Sequence, residues 1–211
     1  IQEIETEWKN RKRMRAGREP VEPLYTHWQA QESLKLFRSV SYDEMISLTD
    51  NIRVRYRNSG HMLGSAFIEM WVRENREETK IVFTGDIGNT DMPILKDPAP
   101  IEEADYVVMD ATSGDRLHND RKNKAGKFLD IVLETLDKGG NVVIPSFAVG
   151  RTQEIIYEIN KTLTLPYEKI IRLMNTPVYI DSPLAISATE VYRNNLDCYD
   201  EEAKWYIENG D

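Results

Sequence analysis

The sequence predicts an α/β protein, strand-rich in its first half and alternating strand with helix in its second. Three observations carry this. Residues 65–72 and 80–83 read as apolar strands separated by the polar turn Glu74-Asn75-Arg76-Glu77-Glu78. Residues 106–109 form a third short apolar run with the acidic Asp110 at its end. Beyond about residue 119, apolar residues recur at helical spacing. The β-branched runs at 142–144 and 177–181 interrupt them, which predicts a parallel sheet flanked by helices.

Taken in order, residues 1–16 read as a helix with Ile4 and Trp8 on one face and the breaker Gly17 after it. Lys9, Arg11, Lys12, Arg13 and Arg15 crowd its second half. Such a cluster can meet phosphates, but a solvated helix end that complements the macrodipole is the favoured reading. After the connector through Pro20 and Pro23, Thr26 is placed to cap a helix running through Trp28, Leu34 and Phe37. His27, in its first turn, has no second ligand at helical spacing and reads as structural. Residues 42–48 and 52–56 alternate as a hairpin around Thr49-Asp50-Asn51. A loop with Pro93, Pro98 and Pro100 leads to the third strand. From about residue 119 a helix is expected through Phe128, Leu129, Val132 and Leu136, with Gly139-Gly140 as its stop. A strand at 142–144, a helix over 150–160, a strand at 177–181 and a helix from Pro183 to about Arg193, led by Ser182, complete the reading.

With 211 residues and a formal net charge of −9, the chain can bury a core but carries no general basic coat; a local positive groove for nucleic acid remains compatible with this balance. The single Cys198 excludes an intramolecular disulfide and suits a reducing compartment. No apolar run approaches the roughly 20 residues of a membrane span. A cytoplasmic protein is expected. There is no Gly-x-x-x-x-Gly-Lys-Ser/Thr pattern, no dinucleotide fingerprint and no internal repeat. The chain starts at Ile1 without a methionine and reads as a piece of a longer protein.

The chemistry concentrates between Gly60 and Asn89. His61 precedes one predicted strand and Asp86 follows the next. Neighbouring strands joined by a short turn run antiparallel, so both residues are expected at the same sheet edge. An imidazole and a carboxylate, flanked by Gly60, Gly64, Gly85 and Gly88, form a donor pair suited to a transition metal. On pattern alone, a surface histidine and a Gly-Asp turn are the commoner reading. Ser146 and Ser182 each sit just past a predicted strand, where open α/β sheets place ligands, and each can equally be a helix cap.

Gly60-His61-Met62-Leu63-Gly64-Ser65-Ala66 and Phe83-Thr84-Gly85-Asp86-Ile87-Gly88-Asn89 resemble the third and fourth metal motifs of the metallo-β-lactamase fold. The stretch from Ala104 to Arg116 resembles the acidic motif that opens the β-CASP insertion. Val143-Ile144-Pro145-Ser146-Phe147-Ala148-Val149-Gly150-Arg151 and Tyr179-Ile180-Asp181-Ser182-Pro183 resemble two later β-CASP stretches. These are the RNA-processing metallo-β-lactamases. The resemblance implies part of a metallo-β-lactamase αββα sandwich over residues 1–118, followed by the start of a β-CASP domain over 119–211. It implies hydrolysis of RNA phosphodiester bonds with two zinc ions that share a bridging aspartate. His61 is then a zinc ligand, Asp86 the bridging carboxylate, and Asp110 an acid that orients a histidine or assists proton transfer. Ser146, Arg151 and Ser182 are then candidates for contact with the RNA backbone.

Three departures qualify the match. The family's His-x-His-x-Asp-His motif belongs before residue 1, and two later histidines belong after Asp211. Where relatives read Glu-Ser-Thr-Tyr-Gly, this chain has Asp110-Ala111-Thr112-Ser113-Gly114. The alternative is therefore a catalytically silent RNA-binding or scaffold protein of the same fold. By itself the chain is expected to be inactive, to hold at most a weakly bound metal, and to self-associate, as a homodimer or otherwise, through apolar surface around the strands at 65–72 and 80–83.

Overall fold

A computed structural model describes residues 2–116, 124–162, 171 and 173–209, and contacts divide the chain into two units, Ile1–Ser41 and Tyr42–Asp211. The first unit holds two helices, α1 (Gln2–Arg15) and α2 (His27–Leu34). Thr26 caps α2 reciprocally. Its hydroxyl accepts from the Gln29 N–H at 3.2 Å while the Gln29 side chain accepts from the Thr26 N–H at 2.9 Å, a capping box. His27 lies exposed in the first turn, and the helix stops at Leu34, one turn before Phe37.

The second unit is built on a five-stranded sheet in sequence order: β1 (Met45–Thr49), β2 (Ile52–Asn58), β3 (Ala66–Glu74), β4 (Glu77–Phe83) and β5 (Tyr106–Val108). The first three pairings are antiparallel and the last, β4 to β5, is parallel. The β3–β4 turn is tighter than the five polar residues suggested. Asn75 and Arg76 alone span it, at φ of 48° and 74°, the left-handed pair that matches the twist of a two-residue hairpin.

The two sheet faces differ. One carries Val54, Ile68, Met70, Val72 and Ile81, of which Val54 is fully buried and the others partly so. The other carries Phe67, Trp71 and Val82 together with Glu69, which is only 1% exposed. Glu69 is paired with Lys80 at 2.6 Å and Arg55 at 2.7 Å. Burial raises the Glu69 carboxyl, but the Lys80 and Arg55 hydrogen bonds and charges together outweigh it, and its pKa lies below the ordinary carboxylate value.

The helices of this unit are α3 (Lys124–Asp137), α4 (Arg151–Thr162), α5 (Pro183–Arg193) and α6 (Glu201–Asn209), with a 3₁₀ turn at Leu196–Cys198. The start of α3 predicted near residue 119 falls outside the described residues. Gly139, at φ +72°, ends α3, and the Gly140 N–H reaches back to the Thr135 carbonyl at 2.9 Å. Tyr157 of α4, Tyr192 of α5, Tyr199 and Ala203 form a buried cluster with Ile94 and Leu95. Buried Gln153 ties α4 to α5 by donating to Thr189 Oγ1 at 3.0 Å.

Among the described residues, the expected parallel sheet of the second half is not formed. Among the described residues, 142–144 and 177–181 make no ladder, and the sheet described above is the only one. Val143 and Tyr179 are 87% and 83% exposed. β-Branched composition favours a strand only where a neighbour supplies ladder bonds and packing, and among the described residues neither run has one. A second sheet of a sandwich is likewise not seen among the described residues. No helix of the described residues is long and apolar enough to cross a membrane.

Candidate active site

Strand directions gather three chain segments at one sheet edge. β3 begins there, antiparallel to β4, and the parallel β4–β5 pair ends there with Phe83 beside Val108. The loop before β3 carries His61, the loop after β4 carries Asp86, and the residues after β5 carry Asp110. His61 Nε2 lies 3.5 Å from Asp86 Oδ2, with the side chains 40% and 64% exposed. The sequence expectation that these residues meet at the edge is met.

Backbone contacts fix that approach. The Gly88 N–H donates to the Ser59 carbonyl at 2.8 Å, joining the two loops. Gly60 sits at φ +63° against Pro98. Ser65, which composition did not single out, organises the His61 loop. Its hydroxyl oxygen accepts from the N–H groups of His61 at 3.1 Å and Met62 at 3.0 Å, and pairs with the Ser59 hydroxyl at 2.9 Å. A serine directly after a loop glycine is the one local signal that the sequence offers for it.

Asp110 forms an Asx turn. Its Oδ1 accepts from the Thr112 N–H at 3.1 Å and the Thr112 hydroxyl at 2.5 Å. These hydrogen bonds, chiefly the one from the Thr112 hydroxyl, hold its carboxyl below the usual range, with a smaller contribution from the nearby His61. Buried Thr84 links the strands below, its Oγ1 accepting from the Asp110 N–H at 3.4 Å. The third group at the edge is therefore an ionised carboxylate throughout the neutral range.

Of the remaining candidates, Arg151 opens α4, is 61% exposed, and pairs with Glu154 of its own helix. Ser146 lies five residues before α4 opens at Arg151, and its hydroxyl pairs with that of Thr152 at 2.8 Å. Ser182 is one: its Oγ accepts from the Ala185 N–H at 3.2 Å. Among the described residues, no hydrogen bond or ion pair joins Ser146, Arg151 or Ser182 to His61, Asp86 or Asp110. The start of α4 nevertheless abuts the His61 loop, because a Cβ at Gly150 would lie 3.6 Å from Met62 Cγ.

An imidazole nitrogen and a carboxylate oxygen at this separation fit two positions of a metal centre. Among the described residues, no three His, Cys, Asp or Glu side chains converge to hold an ion. The fit is that of part of a site.

Residues 152–209 match the Beta-Casp domain family model. The chain is 33% identical over 189 residues to Ribonuclease TTHA0252 of Thermus thermophilus, covering 90% of this chain and 41% of that protein. It is 32% identical over 188 residues to an RNase J-like protein of Methanocaldococcus jannaschii, covering 88% of this chain and 42% of that one. A third relative, RNase aCSPSF2 of Saccharolobus solfataricus, is 32% identical over 160 residues, 74% of this chain and 29% of its own length. The chain spans less than half the length of these relatives.

Proposed function

We propose that this chain, which belongs to the β-CASP RNA-processing metallo-β-lactamases, contributes part of a zinc centre that hydrolyses RNA phosphodiester bonds in the full-length protein. The observation that carries the reading is the 3.5 Å approach of His61 Nε2 to Asp86 Oδ2 at the edge where β3 starts and β4 ends. His61 and Asp86 would hold zinc, with Asp86 as the bridging carboxylate between two ions. Zinc bound there supplies Lewis-acid chemistry for attack on phosphorus.

The chain's own residues then have distinct tasks. Ser65 holds the His61 loop, and the Gly88–Ser59 backbone bond keeps Asp86 opposite it. Asp110, kept ionised by Thr112, is better suited to orienting a donor than to accepting a proton, because a depressed pKa makes a weak base. Arg151, which follows Gly150 at the start of α4, is the proposed contact for an RNA phosphate, and Ser146 and Ser182 are weaker candidates for the same backbone. We place the boundary between metallo-β-lactamase and β-CASP parts near residue 118. The remaining metal ligands are proposed to come from other parts of the protein, so that by itself this chain is inactive and holds a metal weakly. Exposed Val107 and Val108 of β5, with Met109 just past it, support self-association where nothing else covers them. With a single half-buried Cys198, a reducing, cytoplasmic setting is the proposed location.

The second reading, a catalytically silent RNA-binding or scaffold protein, is favoured by one observation, the Asp110-Ala111-Thr112-Ser113-Gly114 sequence. An RNA cleavage assay on the full-length protein separates the two. Cleavage that is lost with a chelator and restored by zinc supports the enzyme; RNA binding without cleavage under any metal supports the silent protein.

A further inference from the structure

The densest positive charge of this acidic chain lies in α1 and the residues directly after it. Lys9, Arg11, Lys12, Arg13, Arg15 and Arg18 fall within residues 9–18, which contain no acidic residue, while the whole chain carries a net charge of −9. None of the six pairs with a described carboxylate, although Glu5 and Glu7 stand one helical turn before Lys9 and Arg11. A helix end complements its dipole with one or two cations in its last turn. Six leave most of that charge without a structural task.

The geometry separates the two sides of α1. One side is tied down. Thr6 is buried, the Asn10 amide exchanges two 2.8 Å hydrogen bonds with the Val21 backbone, and Arg13 Nε donates to the Glu19 carbonyl at 2.6 Å. Trp8, Arg11, Lys12 and Arg15 follow the i, i+3, i+4, i+7 spacing of a single helical face, and all four are exposed. Trp8 is 59% exposed, with Lys12 Nζ 3.7 Å from its ring. An exposed indole set among uncompensated cations matches what an unpaired nucleic-acid strand presents: phosphates along its backbone and bases free to stack.

We propose that this face of α1 is a docking surface for single-stranded RNA, with Arg11, Lys12 and Arg15 on successive phosphates and the free face of Trp8 stacked on a base. The proposal deepens the RNA reading above and rests on it for the choice of polyanion. A membrane surface is the less favoured partner, because α1 exposes only Ile4, Trp8 and Met14 as large apolar side chains, far less than a helix lying in a lipid interface presents.

The test measures binding of a labelled single-stranded oligoribonucleotide to the full-length protein in chelator across a salt series. The variants are R11Q/K12Q/R15Q, W8A and W8F; glutamine keeps helix propensity close to that of the residues replaced. Loss of three phosphate contacts is expected to weaken binding at least about ten-fold at low salt and to reduce the slope of log K against log salt by about 2. W8A should weaken binding about five-fold or more, with W8F largely restored. Should the triple variant lose helicity, K12Q read on the same slope decides. Unchanged affinity and slope would overturn the proposal, as would binding of phosphatidylserine vesicles but not RNA. Cleavage without any effect of these variants defeats the docking surface and leaves the nuclease reading standing. Binding that depends on α1 without any cleavage does the reverse.

Discussion

Gly88 and Gly60 face each other backbone to backbone: a Cβ on residue 88 would lie 1.8 Å from the Gly60 carbonyl oxygen. The loops that carry His61 and Asp86 are thus closed on each other at a point where no side chain fits. The separation of the two candidate ligands is set by backbone packing as well as by their own side chains.

Gly88→Ala must push these loops apart. We expect a loss of about 1–3 kcal/mol of stability, the range for an overpacked site, and a fall in metal content of the full-length protein. Urea denaturation with metal analysis checks both. A variant with an unchanged midpoint would mean that the loops yield without strain.

Ser65→Ala removes the shared acceptor of the His61 and Met62 N–H groups and the partner of the Ser59 hydroxyl. A destabilisation of about 2 kcal/mol is expected from the unpaired donors. His61 should also lose its fixed approach to Asp86, which histidine NMR shifts would report. A change within about 0.5 kcal/mol, the usual effect of a surface substitution, would remove Ser65 from this role.

Glu69 gives the sheet a pH dependence whose sign follows from its lowered pKa. A carboxylate depressed in the folded state contributes stability that is present above its unfolded pKa and is lost as pH falls through the folded value. The window therefore opens below about pH 4.3 and extends downward. Glu69→Gln should abolish that acid limb and lower neutral stability by about 3 kcal/mol, because Arg55 and Lys80 then lack their shared counter-charge. Denaturation midpoints from about pH 2 to about pH 6, which span both sides of the unfolded value near 4.3, would show it; an unaltered acid limb in the variant would assign the dependence elsewhere.

What the sequence made legible was what neighbouring residues decide among themselves. The Thr26 cap, the Ser182-Pro183 helix start and the Gly139-Gly140 stop are local chemistry, and each appears where expected. The meeting of His61 and Asp86 also followed, because a short turn forces its two strands antiparallel. The strands at 142–144 and 177–181 did not, since their composition reports a preference that only a paired neighbour realises. The Gly60–Gly88 contact stayed hidden because it exists only once two loops distant in sequence fold onto each other. Ser65 acts inside its own loop, on Ser59, His61 and Met62, but as a shared acceptor in an arrangement that no cap signature marks. The division after Ser41 likewise depends on contacts that no local pattern announces.

Asp110→Asn keeps the shape of the Asx turn and removes the charge. If Asp110 orients a group beside the metal, turnover of the full-length protein should fall by about ten-fold or more while zinc content changes little. Parallel loss of both would make Asp110 a ligand or a residue of the fold.

The central claim is that Asp86 and His61 together hold the catalytic metal. The measurement that bears on it most directly is bound zinc per full-length protein, taken alongside RNA turnover, in Asp86→Ala against the parent. The account predicts that this variant loses zinc and loses hydrolysis together while its secondary structure by circular dichroism is retained. Full zinc occupancy with unchanged RNA cleavage in Asp86→Ala would contradict it.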